Sequence, residues 1–269
     1  MRFAVWVPLF DELADPLTVA RLAAAAEDAG WDGMFVWDQL WWRAPVTAVA
    51  DPWIVLAAVA AVAASTERLR IGPMVTPVAR RRPVKLSREA TTLDRLSGGR
   101  LKLGVGLGSD RFAGEFSRSG EEADDRVRAG QLDESLEILK AGWTGEPVCH
   151  HGKHYTVDSV RFLPRPVAGR TPIWVAGFPG NPRPLRRGVR HDGFFPVNLT
   201  SPNQLADVVA SVQSLRGSLT GYDITVAVSS STDVRPYATA GATWCLTDFD
   251  PATLRPADVR AVIDAGPAR

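Results

Sequence analysis

The chain has 269 residues, 45% of them hydrophobic and 23% charged, with a formal net charge of +1. A chain of this length can bury a sizeable core, and its near-neutral charge supplies no global field for nucleic acid or a membrane surface. No apolar run of about 18 residues occurs, which argues against a membrane span. The start, MRFAVWVPLF, lacks the order of a signal peptide. Cys149 and Cys245 lie far apart with no metal-type spacing, so a reduced, cytoplasmic protein is the expectation.

Arg2–Val7 reads as a first strand. Asp15-Pro16 opens a helix that Gly30 stops. Asp32–Asp38 is a second apolar strand, followed by a loop rich in tryptophan and proline. Pro52–Thr66 is a helix that is apolar nearly all round, which predicts burial on more than one side or a partner subunit. From Leu69 to Gly108 the pattern is strand, proline-bounded loop, amphipathic helix, SGG stop and strand. Leu86, Ala90, Leu93 and Leu96 stand at helical spacing within it. A long polar loop leads to the helix RVRAGQLDESLEILKAGWTG. Residues 146–170 have β-rich pieces without helical period and read as a hairpin or arm inserted in a single domain spanning 1–269. Strands follow at TPIWVAGF, HDGFFPVN, YDITVAVSSS and ATWCLTDF, alternating with helices, of which DVRPYATAG is cut short.

Eight strands, each with a helix or its remnant, predict a parallel sheet. In this length they match the α/β class with a closed (β/α)8 TIM barrel. An open doubly wound sheet is the alternative, but the first turn, VPLFDE, carries no glycine.

Several segments in order resemble the luciferase-like monooxygenase superfamily, which includes FMN-dependent monooxygenases and oxidoreductases using the deazaflavin coenzyme F420. They are AEDAGWDGMFVWDQL, IGPMVTPVARRRPVKLSREATTLDRLSGGRLKLGVGLG, GEEADDRVRAGQLDESLEILKAGWTG, GKHYTV, RPVAGRTPIWVAG, AGATWCL and DAGPAR. The resemblance covers nearly the whole chain. It implies a bacterial luciferase-like barrel, a cofactor ring at the C-terminal mouth, a cis peptide at Met74–Val75 against that ring, and a homodimer. It also implies that Ala176, Gly177, Phe178, Pro179 and Gly180 cradle the ribityl phosphate region.

Candidate site residues follow the strands' C-terminal ends, where α/β folds build their sites. Asp38 and Gln39 follow the second strand and are the catalytic candidates, with Asp38 also a cofactor contact. Many deazaflavin enzymes resembling this chain carry a His where Gln39 stands, and an amide cannot exchange a proton near neutral pH. Met74 and Val75 are expected at the ring. Gly106 and Gly108, with Gly104, suit close approach to a flat ligand, although glycines also end strands. Ser109, with Asp110 and Arg111, could bond the pyrimidine edge or the tail. Arg183, with Arg186 and Arg187, adds donors for phosphate or carboxylates beside a helix start. Trp41 and Trp42 read equally as substrate pocket or as packing; Trp6 joins the pocket set, although it and Trp37 also read as barrel filling. Arg80, Arg81 and Arg82 either hold an acidic group or are solvated, with solvation favoured. His150, His151 and His154 have hairpin spacing, and no metal site is expected.

The leading expectation is hydride transfer between F420 and a small organic substrate. The rivals are an FMN-dependent monooxygenase served by a separate reductase and a non-catalytic barrel that only binds a ligand, the latter prompted by Gln39 and the short seventh helix.

Overall fold

The structure, a computed structural model, describes residues 1–62 and 68–268. The elements run β1 (Arg2–Val7), α1 (Pro16–Asp28), β2 (Gly33–Val36), α2 (Pro52–Val62), β3 (Arg70–Pro73), β4 (Thr76–Pro77), α3 (Pro83–Leu96), β5 (Leu103–Gly106) and α4 (Asp125–Gly142). They continue with β6 (Pro147–His151), β7 (Thr156–Arg161), β8 (Ile173–Gly177), α5 (Pro182–Gly188), β9 (Gly193–Pro196), α6 (Pro202–Arg216), β10 (Asp223–Ser229), α7 (Arg235–Thr239), β11 (Trp244–Asp248) and α8 (Pro256–Ala265). Six of these helices begin on a proline, whose missing N–H costs nothing in the first turn. Asp15 caps α1 by accepting from the amides of Leu17 and Thr18.

The large sheet runs β3-β2-β1-β11-β10-β9-β8-β5-β4, with every pairing parallel. β3 and β4 are two halves of one strand, so the list closes on itself as a nearly closed eight-stranded barrel. The third strand is interrupted at Met74–Val75, where the structure has the cis peptide that the resemblance implies. Its lower half pairs with β2 and its upper half with β5. Between them, Lys102 donates to the Ile71 carbonyl at 2.8 Å and Ile71 to the Arg100 carbonyl at 3.2 Å. Gly72 permits this approach, since a Cβ there would stand 1.9 Å from the Lys102 carbonyl oxygen.

The barrel interior is filled by Ala4, Phe35, Met74, Trp174, Phe195, Trp244 and Leu246. Phe35, Trp174 and Trp244 pack with centroids 5.3–5.8 Å apart. Glycine makes room for them: a Cβ on Gly193 would stand 2.6 Å from Trp174, and one on Gly33 3.2 Å from Trp244. At the N-terminal end, Asp223 accepts from Lys102 at 3.0 Å and from the Trp174 indole at 3.1 Å. That end is thereby closed by an ion pair, and ligand access is left to the opposite face.

The expected arm is the antiparallel hairpin β6–β7. In α2, Trp53, Val55, Leu56, Val59 and Ala60 face the core while Ile54 is 66% exposed, so the helix has one outward apolar edge. The predicted continuation of α2 from residue 63 to Thr66 lies outside the described residues. Among the described residues, no helix is long and apolar enough to cross a membrane.

Candidate active site at the barrel mouth

Because all eight strands point one way, their C-terminal ends share one face. The buried layer of Phe35, Trp174, Phe195, Trp244 and Leu246 supports a partly exposed upper layer of Trp6, Val75, Ala176, Val197 and Ala227. This upper layer floors the mouth. On one side it is flat: Gly106 has no side chain, Ala176 has a methyl, and a Cβ on Gly106 would stand 3.0 Å from Val75 and 3.6 Å from Ala176. On the other side it is aromatic. Trp6 lies 5.2 Å from Trp37 and 5.5 Å from Phe195, and its indole donates to the Met74 carbonyl at 2.7 Å. Trp42 stacks between Phe10 and Phe112, each at 5.6 Å. The buried Trp37 indole N–H has no acceptor.

The other glycines serve the protein itself. A Cβ on Gly104 would meet the Met74 sulfur at 2.4 Å, so that site seats Met74. Gly108, at φ +71°, gives its space to Phe116 and Pro77. Gly177 gives its space to Pro184 of α5. Sequence shows the glycines; only the backbone shows which way each opens.

The Arg80–Arg82 cluster departs from expectation. Arg80 and Arg81 are not solvated, because their side chains are 5% and 17% exposed. Arg80 donates to Asp38 at 2.9 Å and pairs with Glu115 at 3.1 Å. Arg81 donates to Asp38 at 3.2 Å and lies 3.8 and 3.9 Å from Asp51 and Glu89. Thr76 donates to Asp38 at 2.9 Å. Only Arg82 is exposed. These partners are 30 or more residues away, apart from Glu89 within α3, and nothing local in the sequence announces them.

The same network absorbs the two catalytic candidates. Asp38 is 2% exposed, and both of its carboxylate oxygens accept from Thr76 or the two arginines. Gln39, with its amide nitrogen turned inward, donates to both Glu115 oxygens at 2.7 and 2.9 Å. The Leu40 amide also donates to Glu115. Burial pushes the Glu115 carboxyl above the usual range, against the downward pull of Arg80. Asp38, Gln39, Arg80 and Glu115 therefore tie the end of β2 to the loop after β5. Trp41 reinforces this tie through an indole bond to the Ala113 carbonyl at 2.9 Å. Ser109 is turned into its own loop, where its hydroxyl accepts from Arg111 at 3.2 Å.

Beyond β8, Phe178 and Gly180 are exposed on the turn into α5. The free amides expected at the start of that helix are largely missing. Pro182 and Pro184 have none, and the Arg183 amide donates to the Asn181 side chain at 3.2 Å. Cationic donors remain. Arg126, Arg183, Arg186, Arg187 and Arg190 line an open cleft of about 570 Å³ between α4 and α5. Arg187 is engaged in a two-pronged bond to Asp133 at 2.6 and 2.8 Å, while Arg183 and Arg186 extend outward.

Two residues escaped the sequence reading. Glu115 lies in a polar loop without period. Asp248 ends the last barrel strand on the inner face, a position that alternation from Trp244 and Leu246 could have revealed. Burial raises its carboxyl to about 6, against the Phe249 amide, which donates at 3.0 Å. Among the described residues, no group of three or more metal-type ligands is assembled.

The barrel and its mouth define a luciferase-like architecture. The family model of luciferase-like monooxygenases matches residues 1–240, and the chain belongs to that family. An F420-dependent glucose-6-phosphate dehydrogenase of Nakamurella multipartita is 32% identical over 201 residues, covering 72% of this chain and 56% of that protein. Its counterpart in Nocardia farcinica is 33% identical over 187 residues, covering 66% and 52%. The chain thus spans about half the length of these curated relatives. Among solved structures, the coenzyme F420-dependent tetrahydromethanopterin reductase of Methanopyrus kandleri superposes with a TM-score of 0.79 at 16% identity, covering 98% of both chains. The FMN complex of the oxygenating constituent of 3,6-diketocamphane monooxygenase, from Pseudomonas putida, gives 0.69 at 18%, covering 85% and 67%. At these identities the superpositions establish the fold.

Proposed function

We propose that this chain is an oxidoreductase that holds coenzyme F420 at the barrel mouth and moves a hydride between it and a small organic substrate. The observation that carries the reading is a pair of seats joined in sequence by the turn after β8. The small-residue floor at Gly106 and Ala176, edged by Val75, would accommodate a planar ring, and the exposed turn at Phe178–Gly180 precedes α5, whose Arg183 and Arg186 line the arginine cleft. A planar heterocycle with an acidic tail matches the chemistry of both seats. When bound, the deazaflavin supplies the hydride chemistry. The chain's own residues would position it: Val75 from the third strand, Gly106 from the fourth, Ala176 and Pro179 from the fifth, and Arg183 and Arg186 at the tail, while Met74, Gly108 and Gly177 shape the barrel beneath. Asp38 and Gln39 act as positioning groups that fix the loop over the mouth. Trp6, Trp41 and Trp42 wall the substrate side.

The identity of the curated relatives supports F420 over FMN. Titration followed by difference absorbance tests this choice. The expected result is saturable F420 binding, weaker FMN binding, and loss of the F420 preference in Arg183→Ala/Arg186→Ala. Tight FMN binding, with oxygen uptake when reduced FMN and a reductase are supplied, would establish the monooxygenase instead. Uptake of neither cofactor would leave a ligand-binding barrel. A cytoplasmic homodimer is part of the proposal. The exposed apolar edge of α2 at Ile54 suits a second copy, and a monomeric mass in light scattering would remove that part.

A further inference from the structure

Asp248 stands apart from the other carboxylates at the mouth. Asp38 is gripped by Thr76, Arg80 and Arg81, and Glu115 by Arg80, Gln39 and Leu40. Asp248 accepts only from the Phe249 amide, and among the described residues no cation pairs with it. The flanking strands bring no charge to it. β10 places Ser229 opposite Asp248, with its hydroxyl engaged by Ser231 and Thr232 at 3.0 and 2.9 Å. β1 pairs Val5 with Thr247, which brings Trp6 alongside. On the segment that follows, Asp250 is exposed and caps the Ala252 amide.

Ring topology gives this residue a partner across the mouth. In the closed order, β11 is four strands from β5, so Asp248 stands diametrically opposite Gly106. A planar ring seated on the Gly106 floor would leave the Trp6 and Asp248 side of the mouth to the substrate. Asp248 would then offer a substrate on that face a carboxylate oxygen that can accept or donate a proton and that, among the described residues, has no fixed ion partner.

We infer that Asp248 is the proton carrier of the reaction, exchanging a proton with the substrate's oxygen. The inference rests on the deazaflavin reading. In the oxidative direction a secondary alcohol or hemiacetal loses its C–H hydrogen, with both electrons, to the deazaflavin. The C–O bond becomes C=O, and the O–H proton passes to the free oxygen of Asp248 and then to water. In the reductive direction the carboxylic acid returns the proton to the forming alkoxide. Substrate is oxidised and deazaflavin reduced, or the reverse, with no further reactant. Gln39 has no part in proton exchange, because an amide does not titrate near neutral pH. Burial supports the assignment by moving the carboxyl to about 6, close to a working pH for acid–base exchange.

Carboxyl-carbon NMR of protein labelled at aspartate tests this without a known substrate. The Asp248 signal is identified by its loss in Asp248→Asn. The expected midpoint in the free protein is near 6, and adding F420 moves it by about half a pH unit or more as the ring excludes water. Asp248→Asn binds F420 as the parent does. With reduced F420 and a panel of small ketones and aldehydes, it turns over about 100-fold more slowly or worse, and Asp248→Glu recovers part of the loss. If F420 binds but the Asp248 midpoint lies near 4 or ignores the cofactor, the inference falls while the cofactor reading stands. If F420 does not bind, the cofactor reading itself falls and takes the inference with it.

Discussion

The Arg80 guanidinium reaches Asp38 with one terminal nitrogen and Glu115 with the other, and all three side chains are 5% exposed or less. Two buried carboxylates are held by one planar fork, which a point charge cannot reproduce. Removing one partner of a buried pair leaves an uncompensated charge and costs about 3–5 kcal/mol. Arg80→Met is therefore expected to lower unfolding free energy by that amount in urea titration, with Arg80→Lys intermediate. An Arg80→Met protein as stable as the parent would show that the network contributes nothing net. A milder loss is expected for Gln39→Leu. It deletes only the amide bonds to Glu115, which keeps Arg80 and the Leu40 amide, so about 1–3 kcal/mol is lost.

At the scale of elements, the third strand is the informative one. Its halves serve different neighbours, and Gly72 sits where the lower half approaches the fourth strand. Gly72→Ala would drive a methyl into the Lys102 carbonyl, and since backbone must move, a loss at or above the upper end of about 1–3 kcal/mol is expected. Gly106→Ala presents the opposite case. Its methyl would meet the side chain of Val75 at 3.0 Å, which can yield slightly, so stability falls by about 1 kcal/mol or less. The floor is raised all the same, and cofactor binding weakens. Denaturant titration and F420 titration on the same two variants separate these outcomes. The contrast also shows what sequence could carry. Period, prolines and SGG stops placed the strands and helices, because those signals are local. The cis peptide in the third strand was legible through the family resemblance, but the change of partner across it was not, since that depends on which neighbours its two halves find. Nor was the fate of Arg80 and Arg81, whose partners come from the segment after β2, the residue before α2, α3 and the loop after β5. Asp248 was legible in principle through alternation, but a single aspartate after a strand also reads as a turn residue.

For the whole molecule, two buried titrations oppose each other. His191 is held neutral by burial, with Lys140 adding to the effect, and its pKa falls to about 4. The unfolded chain therefore binds the proton first, and stability is lost as pH falls through about 6.5 towards about 4. Asp248 has the reverse sign. Its folded pKa, about 6, lies above the unfolded value, so the folded chain holds the extra proton between about 4 and about 6. Its stabilising contribution is present below that window and is lost as pH rises through about 6. Over the shared range the two slopes largely cancel, and the parent's pH–stability curve alone hides both. Comparison with Asp248→Asn isolates one of them, because the amide mimics the neutral acid at every pH. A shift of about two units corresponds to nearly 3 kcal/mol, and solvent access to Asp248 reduces this to about 1–2 kcal/mol. Urea unfolding at a series of pH values should thus find parent and variant nearly equal near pH 4. The variant should draw ahead between about pH 4 and 6, then keep a constant lead up to pH 8. A difference that does not change with pH would mean that Asp248 titrates alike in the folded and unfolded chain, which removes the contribution assigned to its burial.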